Sequence, residues 1–354
     1  MQPASDSELS EMIRGAQAFL IQGGGTRRIG QAVGELLETS ALAGVELYEP
    51  GALTLVARAG TPLAEVQTIL AAERQRLAFE VPDLRKLLDR EGTSTIGGVV
   101  AANASGPRRV QVGACRDALL GVRFVDGTGA IVKNGGRVMK NVTGYDLVKL
   151  MAGSQGVLGV LTEVSFKVQA VPEAEVTLMA ERSLPQGLAD LRAALGSPYD
   201  ISGAAWIAGR AMIRLEGMAG SVAYRAGKLR DLLGFDTAEA DWSAVRDVAL
   251  FAGRPGAVWR VSVKPTEAAP LIARLGLEAV CDWGGGLVWL LDPTGAADVR
   301  AALSGNGHAT LMRTLPGAMS APVFQPESLA VAKLTAGLRA KFDPRGVFNP
   351  GMMG

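Results

Sequence analysis

One stretch of small residues indicates the fold: Gly92-Thr-Ser-Thr-Ile-Gly97-Gly98-Val-Val-Ala-Ala-Asn103-Ala-Ser-Gly106-Pro-Arg108-Arg109. It combines glycine, hydroxyl side chains and alanine with almost no side-chain bulk. Glycine loses more conformational freedom on folding than other residues, so a run of this kind indicates that another molecule approaches the backbone closely. We expect a flat or anionic ligand to lie against it. A tight turn packed beneath a helix is the alternative interpretation.

A second glycine-rich site precedes this stretch. The apolar run Ala18-Phe-Leu-Ile-Gln22 predicts a short buried strand, which leads directly into Gly23-Gly24-Gly25-Thr26-Arg27-Arg28. Consecutive small residues expose successive backbone N–H groups, an arrangement suited to a phosphate. The spacing differs from Gly-x-Gly-x-x-Gly, and no Gly-Lys-Ser/Thr follows. The Rossmann and P-loop interpretations therefore both fail at this site.

Length and charge bound the class of protein. A chain of 354 residues predicts two domains. Its 36 Lys and Arg residues balance 35 Asp and Glu residues, so we expect neither a nucleic-acid partner nor a polybasic membrane patch. The sequence shows no basic segment followed by an apolar run at its start, and no stretch of about 20 apolar residues. We expect a cytoplasmic protein, with peripheral membrane attachment through partner chains as the alternative.

The local patterns predict a mixed α and β chain. Helices are predicted after the capping box Ser5-Asp-Ser-Glu8, after Thr61-Pro62 and after Asp146. Asp126-Gly-Thr-Gly129 predicts a hairpin turn, and residues 157–168 alternate as a strand. In the second half, strands are predicted at 176–179, 203–215, 258–263 and 287–291, and helices at 187–195, 225–233, 268–275, 296–303 and from Glu327 onward.

Four motifs, in order, resemble the FAD-binding domain of the vanillyl-alcohol oxidase and p-cresol methylhydroxylase family. They are Gly-Gly-Gly-Thr at 23–26, Thr-Ile-Gly-Gly at 95–98 with its following Asn and Gly, Gly-Tyr-Asp-Leu at 144–147, and Gly-Ser-x-Gly-x-Leu-Gly at 153–159. The resemblance implies a two-part FAD-binding domain in which the first two motifs hold the pyrophosphate and the backbone of residues 159–163 lies along the adenine. The cofactor-binding residues that we predict are Gly23, Gly24, Gly25, Thr26, Arg27, Pro82, Thr93, Thr95, Gly97, Gly98, Asn103, Gly106, Arg109, Gly144, Asp146, Gly159, Val160, Glu163 and Asn349.

The rest of the chain extends the resemblance. The second half is similar to the ferredoxin-like cap that covers the flavin in this family. The terminal pattern Asp343-Pro-Arg-Gly-Val-Phe-Asn349-Pro-Gly resembles the family's flavoprotein 2-hydroxy-acid dehydrogenases, where it returns to the FAD-binding domain. The predicted fold is therefore α+β, with an FAD-binding domain at 1–171, a cap at 172–326 and a returning segment at 327–354.

A closer resemblance involves Ser105-Gly-Pro-Arg-Arg109 and residues 137–146, which are similar to the smaller FAD-binding subunits of bacterial glycolate oxidases. This implies oxidation of glycolate or a related 2-hydroxy acid, with hydride transfer to FAD. It also implies a larger FAD-linked partner subunit and an iron–sulfur partner subunit. The isolated Cys115 and Cys281 fit this division, because two distant cysteines predict no cluster or other metal site in this chain.

Catalytic residues are harder to find. Oxidation of a 2-hydroxy acid requires a cation to hold the carboxylate and a base to take the hydroxyl proton. The chain has one histidine, His308, and we predict it as a catalytic residue together with Arg260 and Arg313 of the cap. A lone histidine without function at the end of a strand is the alternative. We expect FAD to be held non-covalently, since Cys115 lies in an apolar setting typical of a structural thiol.

The scarcity of histidine leaves two further functions open. One is a non-catalytic FAD-binding subunit that supports assembly, or transfers electrons, for a paralogous catalytic chain. The other is a stand-alone FAD-linked oxidase.

Overall fold

The structure is a computed structural model that describes residues 1–15, 17–137, 144–305, 307–317 and 321–353. The motif at 137–146 lies partly outside these ranges, as does Ala16 of the first predicted helix. Within the described residues, no helix combines the length and the apolar character needed to cross a membrane.

Sixteen strands and twelve α-helices are assigned in the described part of the chain. The strands are β1 (Phe19–Gln22), β2 (Glu35–Glu38), β3 (Val45–Glu49), β4 (Thr54–Arg58), β5 (Gln75–Leu77), β6 (Leu119–Val125), β7 (Ile131–Gly135), β8 (Val160–Ala170), β9 (Ala174–Glu181), β10 (Gly203–Ile207), β11 (Arg210–Gly217), β12 (Asp236–Ala238), β13 (Ala257–Ser262), β14 (Glu278–Asp282), β15 (Leu287–Asp292) and β16 (His308–Arg313). The helices are α1 (Asp6–Gly15), α2 (Leu63–Ala72), α3 (Arg85–Leu88), α4 (Ile96–Ala101), α5 (Arg109–Val112), α6 (Cys115–Ala118), α7 (Leu147–Met151), α8 (Leu184–Leu195), α9 (Ala219–Leu233), α10 (Trp242–Arg246), α11 (Ala268–Leu275) and α12 (Leu329–Phe342).

The first part of the chain forms two sheets. β1 and β2 pair in parallel, and α1 packs beside them through the buried Leu9 and Ile13. The larger sheet has the order β3-β4-β8-β6-β7, with β5 pairing to β8, around a core that includes Phe124 and Phe166. The predicted hairpin is confirmed as β6 and β7. At the predicted capping box, Ser5 Oγ accepts the Glu8 N–H, whereas the Glu8 carboxylate accepts the N–H of Ala4 instead of that of Ser5.

The cap consists of two ferredoxin-like units joined edge to edge. The first unit runs β9-α8-β10-β11-α9-β12 and has the strand order β12-β9-β11-β10. The second runs β13-α11-β14-β15-β16 with the mirror order β14-β15-β13-β16, and the units meet where Trp206 of β10 pairs with Cys281 of β14. The predicted ferredoxin-like cap is therefore confirmed, and it is duplicated into one antiparallel eight-stranded sheet.

Three predictions of local structure in the chain were wrong. Residues 296–303 form turns rather than a helix, because the Asp292 carboxylate accepts the N–H groups of Thr294 and Ala297 at the start of the segment. The single predicted strand at 203–215 is a hairpin, β10 and β11. At the start of α2, Thr61 does not cap the helix, since its hydroxyl donates to the carbonyl of Arg58.

The end of the chain returns to the first part of the structure. None of the residues of α12 is buried, and Leu329 and Leu334 are 92% and 71% exposed, so the predicted amphipathic pattern has no buried face. After α12, Val347 and Phe348 are buried beside α1 and β1, where Phe348 pairs with Phe19. This return was predicted by the resemblance.

Candidate cofactor and substrate site

A cavity lies where the loop after β1 meets the start of α4 and the segment before β8. Of the residues predicted to bind the cofactor, those that line this cavity are Gly23, Gly24, Gly25, Thr26, Arg27, Thr95, Gly97, Gly98, Gly159 and Val160. Three motifs that are far apart in the sequence therefore face one space. Met352 from the returning segment also lines it.

The two glycine-rich segments touch through their backbones. A Cβ atom on Gly24 would overlap the carbonyl of Thr93, and one on Gly23 would overlap the hydroxyl of Thr95. A Cβ on Gly97 would lie 2.6 Å from the Cβ of Ala59. Glycine is required at these positions because any side chain would push the segments apart, and this closeness leaves their backbone groups to form the cavity wall.

Arg27 connects the loop after β1 to the following segment. Its guanidinium donates to Ser94 Oγ at 2.6 Å and to the carbonyl of Pro82 at 2.8 Å. Burial lowers the pKa of Arg27 to about 10, so the group is still a cation at pH 7. Its Nε is buried without a hydrogen-bond partner in the described protein, which leaves a donor for a bound anion.

Ser154 was not among the predicted site residues. It lines the cavity and is 7% exposed, and its Oγ has no partner among the described residues. A buried hydroxyl without a partner costs free energy, so it indicates a position where a ligand binds. The sequence contains a signal for Ser154, because this residue belongs to the motif at 153–159. Of that motif, only Gly159 was predicted to bind the cofactor.

Together these features fit FAD. The backbone of glycine residues forms much of the cavity wall, and the buried cation is Arg27. Two buried polar atoms, Arg27 Nε and Ser154 Oγ, have no partner among the described residues. These are the groups that a pyrophosphate and its attached sugars require. Thr39 and Gly156 also line this cavity.

Asn349 supports the cavity from behind. Its Oδ1 accepts the N–H of Ile21 at 2.7 Å, and its Nδ2 donates to the carbonyl of Gln155 at 2.9 Å. Ile21 and Gln155 line the cavity, whereas Asn349 does not. Asn349 is 2% exposed and therefore acts by fixing two wall segments.

The other predicted cofactor residues lie outside the lining of this cavity: Pro82, Thr93, Asn103, Gly106, Arg109, Gly144, Asp146 and Glu163. Asp146 caps α7 by accepting the Lys149 N–H, and Asn103 accepts the Arg116 N–H. Glu163 forms ion pairs with Arg123 and Lys133. The side chains of Glu163, Asn103 and Asp146 therefore all have partners within the protein.

A ring of buried ion pairs joins the FAD-binding part to the cap. Arg108 binds Glu216 of β11 through two hydrogen bonds, and Arg214 binds Glu80 at 2.8 Å. Burial alone would raise the pKa of Glu216, but the hydrogen bonds and charges of Arg108 and its neighbours lower it to about 2. Both carboxylates are therefore ionised and fully paired at neutral pH.

A second cluster at the same interface centres on Trp283, which follows β14. Its Nε1 donates to the carbonyl of Gly106 at 3.1 Å. The guanidinium carbons of Arg109 and Arg260 lie 4.7 Å and 5.6 Å from the centre of its ring system. Trp283 has φ of 55°, a left-handed conformation that is uncommon for a large residue.

Two of the predicted catalytic residues, Arg260 and His308, are neighbours on one side of the cap sheet. In the pairing of β13 with β16, Arg260 faces Thr310 and Ser262 faces His308, so His308 and Arg260 are diagonal neighbours. Partial burial and the charge of Arg260 lower the pKa of His308. His308 is therefore neutral at pH 7 and can accept a proton.

The third predicted catalytic residue, Arg313, is bound to the backbone through its side chain. Its guanidinium donates to the carbonyls of Leu87, Gly256 and Arg254, at 2.8, 3.0 and 2.6 Å. Arg313 therefore ties three loops together.

Asp282, immediately before Trp283, was not predicted. It is 3% exposed, and its Oδ1 accepts the N–H of Trp283 at 2.7 Å. Burial, followed by the charge of Glu80, raises its pKa to about 7. The sequence signal was weak, since a single aspartate before Trp-Gly-Gly-Gly has no characteristic spacing.

Comparison with known proteins places the chain among flavoproteins. The FAD binding domain family matches residues 1–135. The glycolate oxidase subunit GlcE of Escherichia coli strain K12 is 36% identical over 351 residues, which are 98% of this chain and 95% of that protein. The glycolate oxidase subunit GlcD of Bacillus subtilis is 42% identical over 87 residues, covering 25% of this chain and 18% of that protein.

Solved structures of alkyldihydroxyacetonephosphate synthase in two crystal forms have the same fold. Their TM-scores are 0.69 and 0.68, at 15% and 14% identity, and the match covers 99% of this chain and 76% of theirs. At this identity the similarity shows the fold alone. It confirms the predicted α+β arrangement of FAD-binding domain, cap and returning segment. With FAD as its cofactor, and with an alignment that spans nearly all of both proteins, the chain belongs to the family of the glycolate oxidase subunit GlcE.

Proposed function

We propose that this chain is the FAD-binding subunit of a heteromeric glycolate oxidase. It oxidises glycolate or a related 2-hydroxy acid to the 2-oxo acid, and its electrons leave through an iron–sulfur partner subunit. The observation that carries the proposal is the cavity formed by three glycine-rich motifs, in a chain aligned over 98% of its length with a glycolate oxidase subunit. A larger FAD-linked subunit completes the proposed complex.

In this proposal the backbone of residues 23–26 receives the pyrophosphate, and Arg27 and Ser154 donate to it or to the adjoining sugar. Bound FAD supplies a hydride acceptor. The attachment is non-covalent, because Cys115 is fully buried in the core behind the cavity and His308 lies on the cap. Burial also raises the pKa of the Cys115 thiol, which keeps it unreactive.

The cap supplies the groups that handle the acid. Arg260 would hold the carboxylate, since it has no carboxylate partner within 4 Å among the described residues. His308, neutral at pH 7, would accept the proton of the hydroxyl group as hydride leaves the adjoining carbon. The two side chains occupy neighbouring positions on one face of the sheet.

An anaerobic absorbance spectrum tests this function. The purified chain would be recorded before and after addition of glycolate, D-lactate and L-lactate, one at a time. Bleaching of the flavin bands by one acid would identify the substrate and place turnover in this subunit. A protein without flavin would refute the proposed cofactor site.

A second candidate is a subunit that binds FAD without turning over substrate itself. The ion pairs of Arg108 with Glu216 and of Arg214 with Glu80 fill part of the interface between cap and cofactor domain, and His308 is exposed at the strand end. Flavin bands that persist with all three acids would favour this candidate, provided that bleaching returns on addition of the larger subunit.

We also propose the domain division at residues 171 and 326. It is supported by the end of β8 at Ala170, the start of the cap sheet at Ala174 and the start of α12 at Leu329.

A further inference from the structure

We propose that Arg109 and Arg260 together form one anion-binding site, built on the ring of Trp283 and shared between the FAD-binding domain and the cap, and that this site takes a carboxylate group. The inference deepens the proposed function, because it adds a second cation and a platform to the residue proposed to hold the substrate. It does not require that this chain turn over the substrate.

The two arginines converge from different parts of the chain. Arg109 begins α5, directly after the glycine-rich stretch, whereas Arg260 lies in the middle of β13. Both guanidinium carbons lie within 6 Å of the centre of the same indole ring. Stacking on an aromatic face fixes the orientation of a guanidinium group. Its N–H groups stay free to donate hydrogen bonds to a bound anion.

Neither arginine is neutralised in the part of the chain that the structure describes. Arg109 donates to the uncharged hydroxyl of Ser105, at 3.0 Å, and neither arginine has a carboxylate within 4 Å. The acidic groups whose charge acts on them are Asp117 for Arg109 and Asp282 for Arg260, and Asp117 accepts the backbone N–H of Ala114. Asp282 accepts the backbone N–H of Trp283.

Two unpaired cations close together at a partly buried interface destabilise each other, and an anion between them relieves the repulsion. The pKa values of both groups are lowered, by burial first and for Arg260 next by the charge of Arg109. The charge of Arg109 therefore acts on Arg260, as a shared site requires. Since arginine binds carboxylates through paired N–H groups, a carboxylate is the anion that this pair fits.

Hydrogen bonds to both domains hold Trp283 in place. The indole N–H of Trp283 is bound to the carbonyl of Gly106 in the FAD-binding domain, and its backbone N–H is bound to Asp282 in the cap. The backbone of Trp283 is left-handed, which is strained for a large residue and persists only where surrounding contacts impose it. The next two residues, Gly284 and Gly285, also have positive φ, of 64° and 100°. The site exists only when cap and cofactor domain are docked.

Oxalate and acetate are suitable probes, because both carry carboxylates and neither can be oxidised as a 2-hydroxy acid. Binding to the FAD-loaded full chain would be measured by calorimetry. Two cations around one site should bind the oxalate dianion more tightly than acetate. We expect Arg109→Gln and Arg260→Gln each to weaken oxalate binding by about 10- to 100-fold. Arg260→Lys, which keeps the charge and loses the paired donors, should give an intermediate loss.

The matched control is Arg210→Gln, an exposed arginine at the start of β11 that does not stack on Trp283. It should leave oxalate affinity unchanged. Flavin content and thermal unfolding of every variant would be measured on the same samples, so that a misfolded variant is recognised. Oxalate affinity unchanged in both arginine variants, or absent from the flavin-loaded wild type, would overturn the shared site. Missing flavin or missing bleaching would instead count against the proposed function.

Discussion

Arg108 and Glu216 form two parallel hydrogen bonds of 2.9 Å, Nε to Oε2 and Nη2 to Oε1, while 6% and 5% of their surfaces remain exposed. Arg108 follows the glycine-rich stretch that helps to form the cofactor cavity, and Glu216 lies near the end of a cap strand. The pair therefore couples the docking of the cap to the segment that forms the cofactor site.

Replacing Glu216 by Gln should lower the free energy of unfolding by about 3 kcal/mol, because Arg108 and Arg76 lose their ionised partner in a buried setting. Denaturant unfolding would measure the change. Glu278→Gln is the control, since its pair with Arg254 is 44% and 43% exposed and should change stability by less than about 1 kcal/mol. Equal effects would contradict a special role for the buried pair.

Because of the same pair, we expect the stability of the protein to depend on pH in the acidic range. The folded pKa of Glu216, about 2, lies below its ordinary value of 4.5, so its stabilising effect is complete above pH 4.5 and is lost as the pH falls toward 2. The difference in stability between the wild type and Glu216→Gln should therefore shrink between pH 5 and pH 3. A constant difference over this range would show that the carboxylate is not paired as described.

Gly98→Leu should remove flavin while the protein remains folded. A Cβ on Gly98 would meet only Thr95 Oγ1, at 3.2 Å, so the leucine side chain extends into the cavity without meeting backbone. Gly24→Leu, in contrast, should lose both flavin and stability, because its Cβ would overlap the carbonyl of Thr93. Absorbance and thermal unfolding would be recorded together, with Gly227→Leu in the open surroundings of α9 as a control that keeps its flavin.

Ser154→Ala should weaken FAD binding by about 2- to 10-fold, the usual effect of losing one hydrogen bond. The apoprotein should be no less stable than the wild type, because the hydroxyl has no partner among the described residues. The matched control is Ser10→Ala, whose hydroxyl donates to the carbonyl of Gly129: it should lower stability and leave FAD affinity unchanged. A loss of apoprotein stability in Ser154→Ala would show that the hydroxyl already has a protein partner.

Asp282→Asn should stabilise the protein increasingly as pH rises. The folded pKa, about 7, lies above the ordinary 3.8, so between these values the unfolded chain loses a proton that the folded chain keeps, and the stability of the wild type falls. The advantage of the variant should be about 2 kcal/mol or more larger at pH 8 than at pH 5. Asp241→Asn, an exposed cap of α10 with a lowered pKa, should show a difference that is constant over this range.

The sequence predicted best those features that depend on neighbouring residues. The glycine segments at 23–26 and 95–98 were recognisable because the backbone must come close to a ligand there, and both line the cavity. The cap strands and helices followed from periodicity. The ion pair of Glu163 with Arg123, in contrast, joins two strands, and local patterns do not reveal it.

The interface between cap and cofactor domain was beyond sequence reasoning, because its contacts join residues more than 100 positions apart. Nothing near Trp283 indicates that its ring lies against Arg109 and Arg260, or that Gly106 accepts its indole N–H. The partners of Arg313 were equally hidden, because they are the carbonyls of loops that local patterns do not bring together.

Asn349 has a consequence for the order of events during biosynthesis. It bridges Ile21 and Gln155, the first of which precedes it by 328 positions, and Met352 closes one side of the cavity. The early glycine motifs therefore emerge from the ribosome long before their enclosure is complete, and the whole cap is synthesised in between. Tight loading with flavin must follow synthesis of this last segment, so a nascent chain stalled within the cap should capture no flavin.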